Sequence, residues 1–390
     1  MLFNRRNLLT ASTAAVAAML PAYKSWAKLA MDLEPRGTVG RNERLPTLDL
    51  ESQQGFFTEF RVWINRDMVR AAEQRSFAVL KAAGIDPNAE LPKEQIINMF
   101  TNDPVMTMHT SSWESSQVQM WASVRDAYHA EKDKYLEELD RADKAGPGTL
   151  ELAPKMHIPD YTKHEIHLQP GGYVGDPFAG VIYLHGQNVV FNGGNYQDNS
   201  QLKYAAAIPT PKDGKIKRIH EPGCSIGQLT QALKERFPEV EVWGTDIGAP
   251  MIRYAHMRSA DMGVDVNYAQ RLAEDNKFPD NHFDIVVDNL LQHEMTREGI
   301  LAMYRENFRT IRPGGVYYAI DLHTGSPKPR TAFQKFQAWR DHRWNHEIWR
   351  YEYESVDMPA ELRKAGFEVI EKGPSARVGT GYNIMAIKPA

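Results

Sequence analysis

The spacing of apolar residues changes character about halfway along the chain. Between residues 47 and 144 they recur every three or four positions, as in Phe56, Phe57, Phe60, Trp63 and Ile64, and again in Met120, Trp121, Val124 and Tyr128. That period predicts helices that bury one stripe. The charged run at 131–138 reads as a solvated helix surface. Gly146-Pro147-Gly148 interrupts the pattern, and the turn residues crowded into 150–195 predict a loop-rich connection with short strands.

After Gly214, short β-branched or aromatic runs alternate with helical patterns, which is how a parallel α/β sheet reads in sequence. Strands are expected at 215–220, 240–245, 264–268, 283–287 and 316–320. Helices fall between them: one carrying Ile226, Leu229, Leu233 and Phe237, then 251–258 and 299–311. A helix at 360–365 leads into a terminal hairpin of strands 367–371 and 383–387. The predicted fold class is α/β, a Rossmann-like seven-stranded sheet behind a mostly helical amino-terminal domain, divided as 31–195 and 196–390.

Composition narrows the function. Hydrophobic residues make up 42% and charged residues 25%, which suits a globular core, and a formal charge of −4 with no basic stripe argues against nucleic acid as a partner. Cys224 is the single cysteine, which excludes intrachain disulfides and thiolate-rich zinc sites. No integral membrane span is expected after the first thirty residues. Within residues 1–30, Arg5-Arg6 precedes Leu8-Leu9, an alanine-rich run to Leu20, and Ser25-Trp26-Ala27. This resembles a twin-arginine export signal and predicts a periplasmic protein; without a working signal the chain stays cytoplasmic. His157, His164, His167 and His185 invite a metal reading, but turns flank them and no set of acids completes a site, so no metal is expected.

The chemistry concentrates in Ile219-His220-Glu221-Pro222-Gly223-Cys224-Ser225-Ile226-Gly227, where a strand ends in an acid, turns through glycines and opens a helix. Glycine lets the backbone turn sharply and a ligand approach closely, and free amides at a helix start favour a carboxylate. Asp246 ends the next strand, where a carboxylate accepts from both ribose hydroxyls or, alternatively, caps the following helix.

These segments resemble the class I S-adenosylmethionine-dependent methyltransferases, particularly the ubiquinone/menaquinone-biosynthesis type. Phe278-Pro279-Asp280-Asn281-His282-Phe283-Asp284-Ile285-Val286 and Phe308-Arg309-Thr310-Ile311-Arg312-Pro313-Gly314-Gly315 carry the rest of the resemblance. It implies S-adenosyl-L-methionine as cofactor and a small-molecule methyl acceptor. It also implies that Glu221, Gly223, Ser225 and Gly227 surround the amino-acid end of the cofactor, Asp246 the ribose, and Ile247 and Ala273 the adenine. Two positions depart from the family. Ser225 replaces a frequent glycine and suits the site if its φ is negative; Leu272 replaces an acid, for which Glu274 or Asp275 would substitute.

An activated sulfonium methyl needs positioning and desolvation, and a hydroxyl acceptor also needs a base. His293 and His323 follow the fourth and fifth strands and are the candidate catalytic bases. The insertion bearing Phe333, Phe336, Trp339, Trp344, Trp349, Tyr351 and Tyr353 reads either as a lid over an apolar or aromatic acceptor or as a cap packed on the amino-terminal helices. Two rivals remain: a non-catalytic binding module on this fold, and a nicotinamide-dependent oxidoreductase, against which the missing G-x-G-x-x-G spacing counts.

Overall fold

The computed structural model describes residues 38–322, 331–376 and 383–390; the Arg5-Arg6 segment and His323 lie outside them. Two short paired strands, β1 (Thr38–Val39) and β2 (Asn42–Glu43), precede the helices α1 (Leu48–Trp63), α2 (Val69–Ala82), α3 (Lys93–Phe100), α4 (Pro104–Ala130) and α5 (Lys132–Ala142). Strand β3 (Thr149–Glu151) and helices α6 (Ala179–Val190) and α7 (Asn199–Ala207) follow. The alternating half then runs β4 (Arg218–Pro222), α8 (Gln228–Arg236), β5 (Glu241–Asp246), α9 (Ala249–Asp261), β6 (Asn267–Gln270), β7 (Phe283–Asn289), α10 (Arg297–Thr310) and β8 (Ile311–Ile320). Helices α11 (Ala332–Trp344), α12 (Arg350–Ser355) and α13 (Met358–Ala365) lead into β9 (Glu368–Gly373) and β10 (Asn383–Ile387).

The main sheet has the order β3-β6-β5-β4-β7-β8-β10-β9. Its first six strands are mutually parallel, whereas β10 runs antiparallel to both β8 and β9. All seven expected strands are present, and β3, read from sequence only as part of a loop-rich connection, extends the edge beside β6. The strand order reverses at β4, so the crevice between β4 and β7 is the place where open α/β sheets bind ligands. Ile219, Val242, Ile285, Val287 and Val316 are buried together on one face of the sheet; Val286, Tyr304, Tyr317 and Leu362 are buried in a second cluster with α10 and α13.

The amino-terminal helices depart from expectation in two instructive ways. In α1 only Phe57 of its Phe56-Phe57 pair is buried; Phe56 is 63% exposed and Trp63 43%, and Phe60 stacks between them at 5.9 and 5.7 Å. The buried stripe instead includes Gln54, which donates to the Met120 carbonyl and Ser123 hydroxyl of α4. Helix α6 lies inside the predicted loop region. Its glycines permit close packing: a Cβ on Gly180 would stand 2.4 Å from Tyr254, and one on Gly186 1.6 Å from the Trp121 ring. Met120, Trp121, Val124 and Tyr128 form the expected buried stripe of α4. No helix among the described residues is long and apolar enough to cross a membrane.

Candidate functional site

Between β4 and α8 the chain turns through Gly223, Ser225 and Gly227 with φ of 66°, 51° and 73°. A Cβ on Gly223 would lie 2.6 Å from Leu291, and one on Gly227 2.1 Å from the Tyr268 hydroxyl, so both positions demand glycine. Ser225 takes the left-handed conformation that a serine was expected to avoid. That costs about 1–2 kcal/mol, and a charge-assisted hydrogen bond offsets it: the Ser225 amide donates to Asp246 Oδ2 at 2.9 Å. Asp246 Oδ1 accepts from the Gly248 amide at 2.8 Å. Asp246 therefore does brace the turn into α9, yet a carboxylate offers about four lone-pair sites, and it still faces the cavity. Glu221 at the end of β4 is buried and accepts from the Thr230 hydroxyl at 2.5 Å. Burial, reinforced by the nearby Asp246 and Asp288, pushes its pKa up to about 8.

Ile247, Leu272, Ala273 and Glu274 line the adjoining wall. Of the two acids considered as substitutes for Leu272, Glu274 lies in the cavity and accepts from the Tyr161 hydroxyl at 2.9 Å. Asp275 is exposed and pairs with Lys277.

The glycine bend opens into a cavity of about 440 Å³. Trp113, Trp121, Tyr161, Tyr173 and Tyr183, all from the amino-terminal half, supply its aromatic walls. The aromatic insertion after β8 does not. Phe333 and Phe336 are buried against Ala72, Leu80, Ile96 and Phe100 of α2 and α3, so they form the cap rather than a lid. What the insertion presents to the cavity is polar: Arg340, Asp341, Asn345 and Glu347.

His293 sits in a short turn of 3-10 helix just after β7, and the structure surrounds it with acids. Its Nδ1 donates to Asp321 Oδ1 at 2.7 Å, and its Nε2 lies 3.5 Å from Glu294 Oε1. His167 Nε2 reaches the same Glu294 oxygen at 3.1 Å. On its other side His167 Nδ1 lies 3.2 Å from Glu347 Oε1, with the Asn345 carboxamide also at 3.2 Å. Burial lowers the His293 pKa, but Asp321 outweighs that, with help from Glu347 and Glu294, and holds it at about 10. The same opposition, led by burial and overcome by Glu347 and Glu294, places His167 at about 9. His167 and Leu168 both have left-handed backbones, φ 52° and 60°, and the His167 carbonyl is held by Gln117 at 3.1 Å and Trp121 at 2.8 Å. His164 lines the same cavity, and its Nδ1 bonds the Tyr161 carbonyl at 3.2 Å. Sequence reasoning missed Glu294, Asp321 and Glu347; the adjacency of Glu294 to His293 was the only local signal.

Residues 219–315 match the family model of a methyltransferase domain. Over that stretch the chain is similar to the class I S-adenosylmethionine-dependent methyltransferases. It is 30% identical over 122 residues to a demethylmenaquinone methyltransferase of Thermus thermophilus, covering 30% of this chain and 51% of that protein. It is 40% identical over 104 residues to a ubiquinone/menaquinone biosynthesis C-methyltransferase of Burkholderia mallei, covering 26% and 40%. The chain thus spans about half the length of the curated relatives it matches. A solved structure of a putative S-adenosyl-L-methionine-dependent methyltransferase from Methanococcus maripaludis matches at 18% identity and a TM-score of 0.36, covering 49% of this chain and 86% of that one.

The pocket's own geometry fits the cofactor that this similarity implies, S-adenosyl-L-methionine. Two carboxylates, Glu221 and Asp246, line the pocket beside the glycine bend, which suits a ligand that carries a sulfonium and an ammonium. Burial raises the pKa of both acids, and cationic charge from the ligand relieves that cost.

Proposed function

We propose that this chain transfers the methyl group of S-adenosyl-L-methionine to a small aromatic acceptor bearing oxygen substituents, held at the end of the cavity that His293 and His167 line. The observation that carries the reading is a single cavity joining the glycine bend, Asp246 and His293. At about 440 Å³ it falls within the usual range of small-ligand sites, about 300–1,000 Å³.

In this reading Glu221, Gly223, Ser225 and Gly227 hold the amino-acid end of the cofactor, Asp246 the ribose, and Ile247 and Ala273 the adenine. The cofactor supplies a methyl group already activated on sulfur. The chain's share is to align the acceptor, exclude water and bind the proton-bearing oxygen. Trp113, Trp121 and Tyr183 suit the faces of an aromatic ring, while Glu294, His167 and His293 suit its polar edge. An oxygenated ring also agrees with the quinone-pathway names of the curated relatives. The twin arginines Arg5 and Arg6 support export of the folded protein to the periplasm.

The test is a panel of phenols, catechols and quinols incubated with methyl-labelled cofactor, run beside Asp246→Ala. Label transfer to a member of the panel, lost in Asp246→Ala, is expected. Tight cofactor binding with no transfer to any acceptor would favour a non-catalytic module.

A further inference from the structure

His167 and His293 are arranged alike. The Nε2 atoms of both converge on Glu294 Oε1, at 3.1 and 3.5 Å, while each Nδ1 faces a buried carboxylate, Glu347 at 3.2 Å and Asp321 at 2.7 Å. In the neutral tautomer whose Nδ1 donates to the carboxylate it faces, each ring presents a lone pair at Nε2. One ligand atom from each of His167, His293 and Glu294 lies within 4.8 Å of the other two. Donors about 2.1 Å from a common ion stand about 3.0 Å apart at a right angle and about 3.4 Å apart at the tetrahedral angle. The observed 3.1 and 3.5 Å have the length of such edges.

Hydrogen bonding within the cluster leaves atoms unsatisfied. Oε2 of Glu294 and Oε2 of Glu347 are buried with no hydrogen-bond partner among the described residues, and Glu347 as a whole is only 7% exposed. A carboxylate behind each imidazole is also the arrangement that orients metal-bound histidines.

We propose that His167, His293 and Glu294 bind one divalent transition-metal ion at the acceptor end of the cavity, with Glu347 and Asp321 as the partners that orient the imidazoles. Two nitrogens and one carboxylate favour zinc, iron, cobalt or manganese over magnesium or calcium. Three protein ligands leave positions open toward the cavity shared with Asp246. An oxygen of the acceptor fills one of them, and the ion favours its ionised form, the proton passing to solvent. That last role rests on the methyl-transfer reading; the ion site does not.

Untagged full-length protein, stripped with a chelator, is titrated with Co²⁺ and Zn²⁺ in the absence of cofactor and acceptor. Absorption spectroscopy and calorimetry should find one ion per chain. His167→Ala, His293→Ala and Glu294→Gln should each weaken binding by more than about 100-fold, and Glu347→Gln by about 10–100-fold. His157 is exposed, and His157→Ala should bind as the parent does; circular dichroism confirms that each variant is folded. No bound ion, or binding unchanged in all three ligand variants, overturns the site. Calorimetry with S-adenosylmethionine on the metal-free protein separates the two proposals: cofactor binding without ion binding sinks only the metal site, and ion binding without cofactor binding sinks only the methyl-transfer reading.

Discussion

The backbone amide of Ser225 donates to Oδ2 of Asp246 at 2.9 Å, tying the bend after β4 to the carboxylate that ends β5. One side chain therefore shapes the loop and, in the proposed function, holds the ribose. Asp246→Ala removes both roles. Hydrogen bonds to a charged group contribute about 1.5–3 kcal/mol each, so cofactor affinity should fall by at least about tenfold to a hundredfold. Asp246→Asn keeps one acceptor oxygen and should fall between parent and alanine. Calorimetry with S-adenosylmethionine reads both, and an alanine variant that binds as the parent does would remove Asp246 from the cofactor site.

Glu221 should make the unliganded protein less stable as pH rises. Its pKa is about 8 in the fold, against about 4.3 in an unfolded chain. Between those values the folded state holds a proton that the unfolded state has released, so its contribution is full below about pH 4.3 and is lost as pH climbs toward 8. The gradient is about 1.4 kcal/mol per pH unit at most. Urea unfolding of the parent and of Glu221→Gln at pH 5.5 and 7.5 isolates it: the parent should lose more stability between the two than the variant. Cofactor affinity should move the opposite way, rising with pH in the parent as Glu221 ionises to meet the ammonium, and staying flatter in Glu221→Gln.

In the proposed export reading, transport should depend on the guanidinium groups of Arg5 and Arg6 and not merely on their charge. Lysine keeps the charge but loses the planar donor fork. Arg5→Lys with Arg6→Lys should retain the protein in the cytoplasm, as read by cell fractionation. A distribution matching the parent would show that the pair has no addressing role.

What could be read from sequence follows how locally each feature is encoded. The bend at Gly223 to Gly227 and the acid at Asp246 lie within one β-α-β unit, so their order and spacing carry the geometry. The metal-ligand cluster has no such encoding. His167 comes from an irregular segment before α6, His293 and Glu294 follow β7, and Glu347 sits between α11 and α12; only the folded sheet and its cap bring them together. Helix α6 was hidden because the turn residues on either side of it mark the region as loop, and the use of Gly180 and Gly186 as close-packing points appears only with Tyr254 and Trp121 in place. Phe56 and Trp63 misled in the other direction: their spacing is that of a buried face, yet Gln54 and Arg61 occupy the interior of α1.

Two glycines in helices should respond oppositely to alanine. Gly186 of α6 faces Trp121, and a Cβ there would stand 1.6 Å from the indole, so Gly186→Ala must push helix and ring apart. Overpacking of this kind costs about 1–3 kcal/mol, more than the helix preference of alanine returns. Trp121 also holds the His167 carbonyl at 2.8 Å, so the same substitution should weaken Co²⁺ binding at the proposed site. Gly55 of α1 has open space where a side chain would project, with no atom within 4 Å of that point. Gly55→Ala should therefore add about 0.5–1 kcal/mol of stability without touching the cavity. Urea midpoints for the two variants should fall on either side of the parent; an unchanged midpoint in Gly186→Ala would mean that α6 and Trp121 are not packed as described.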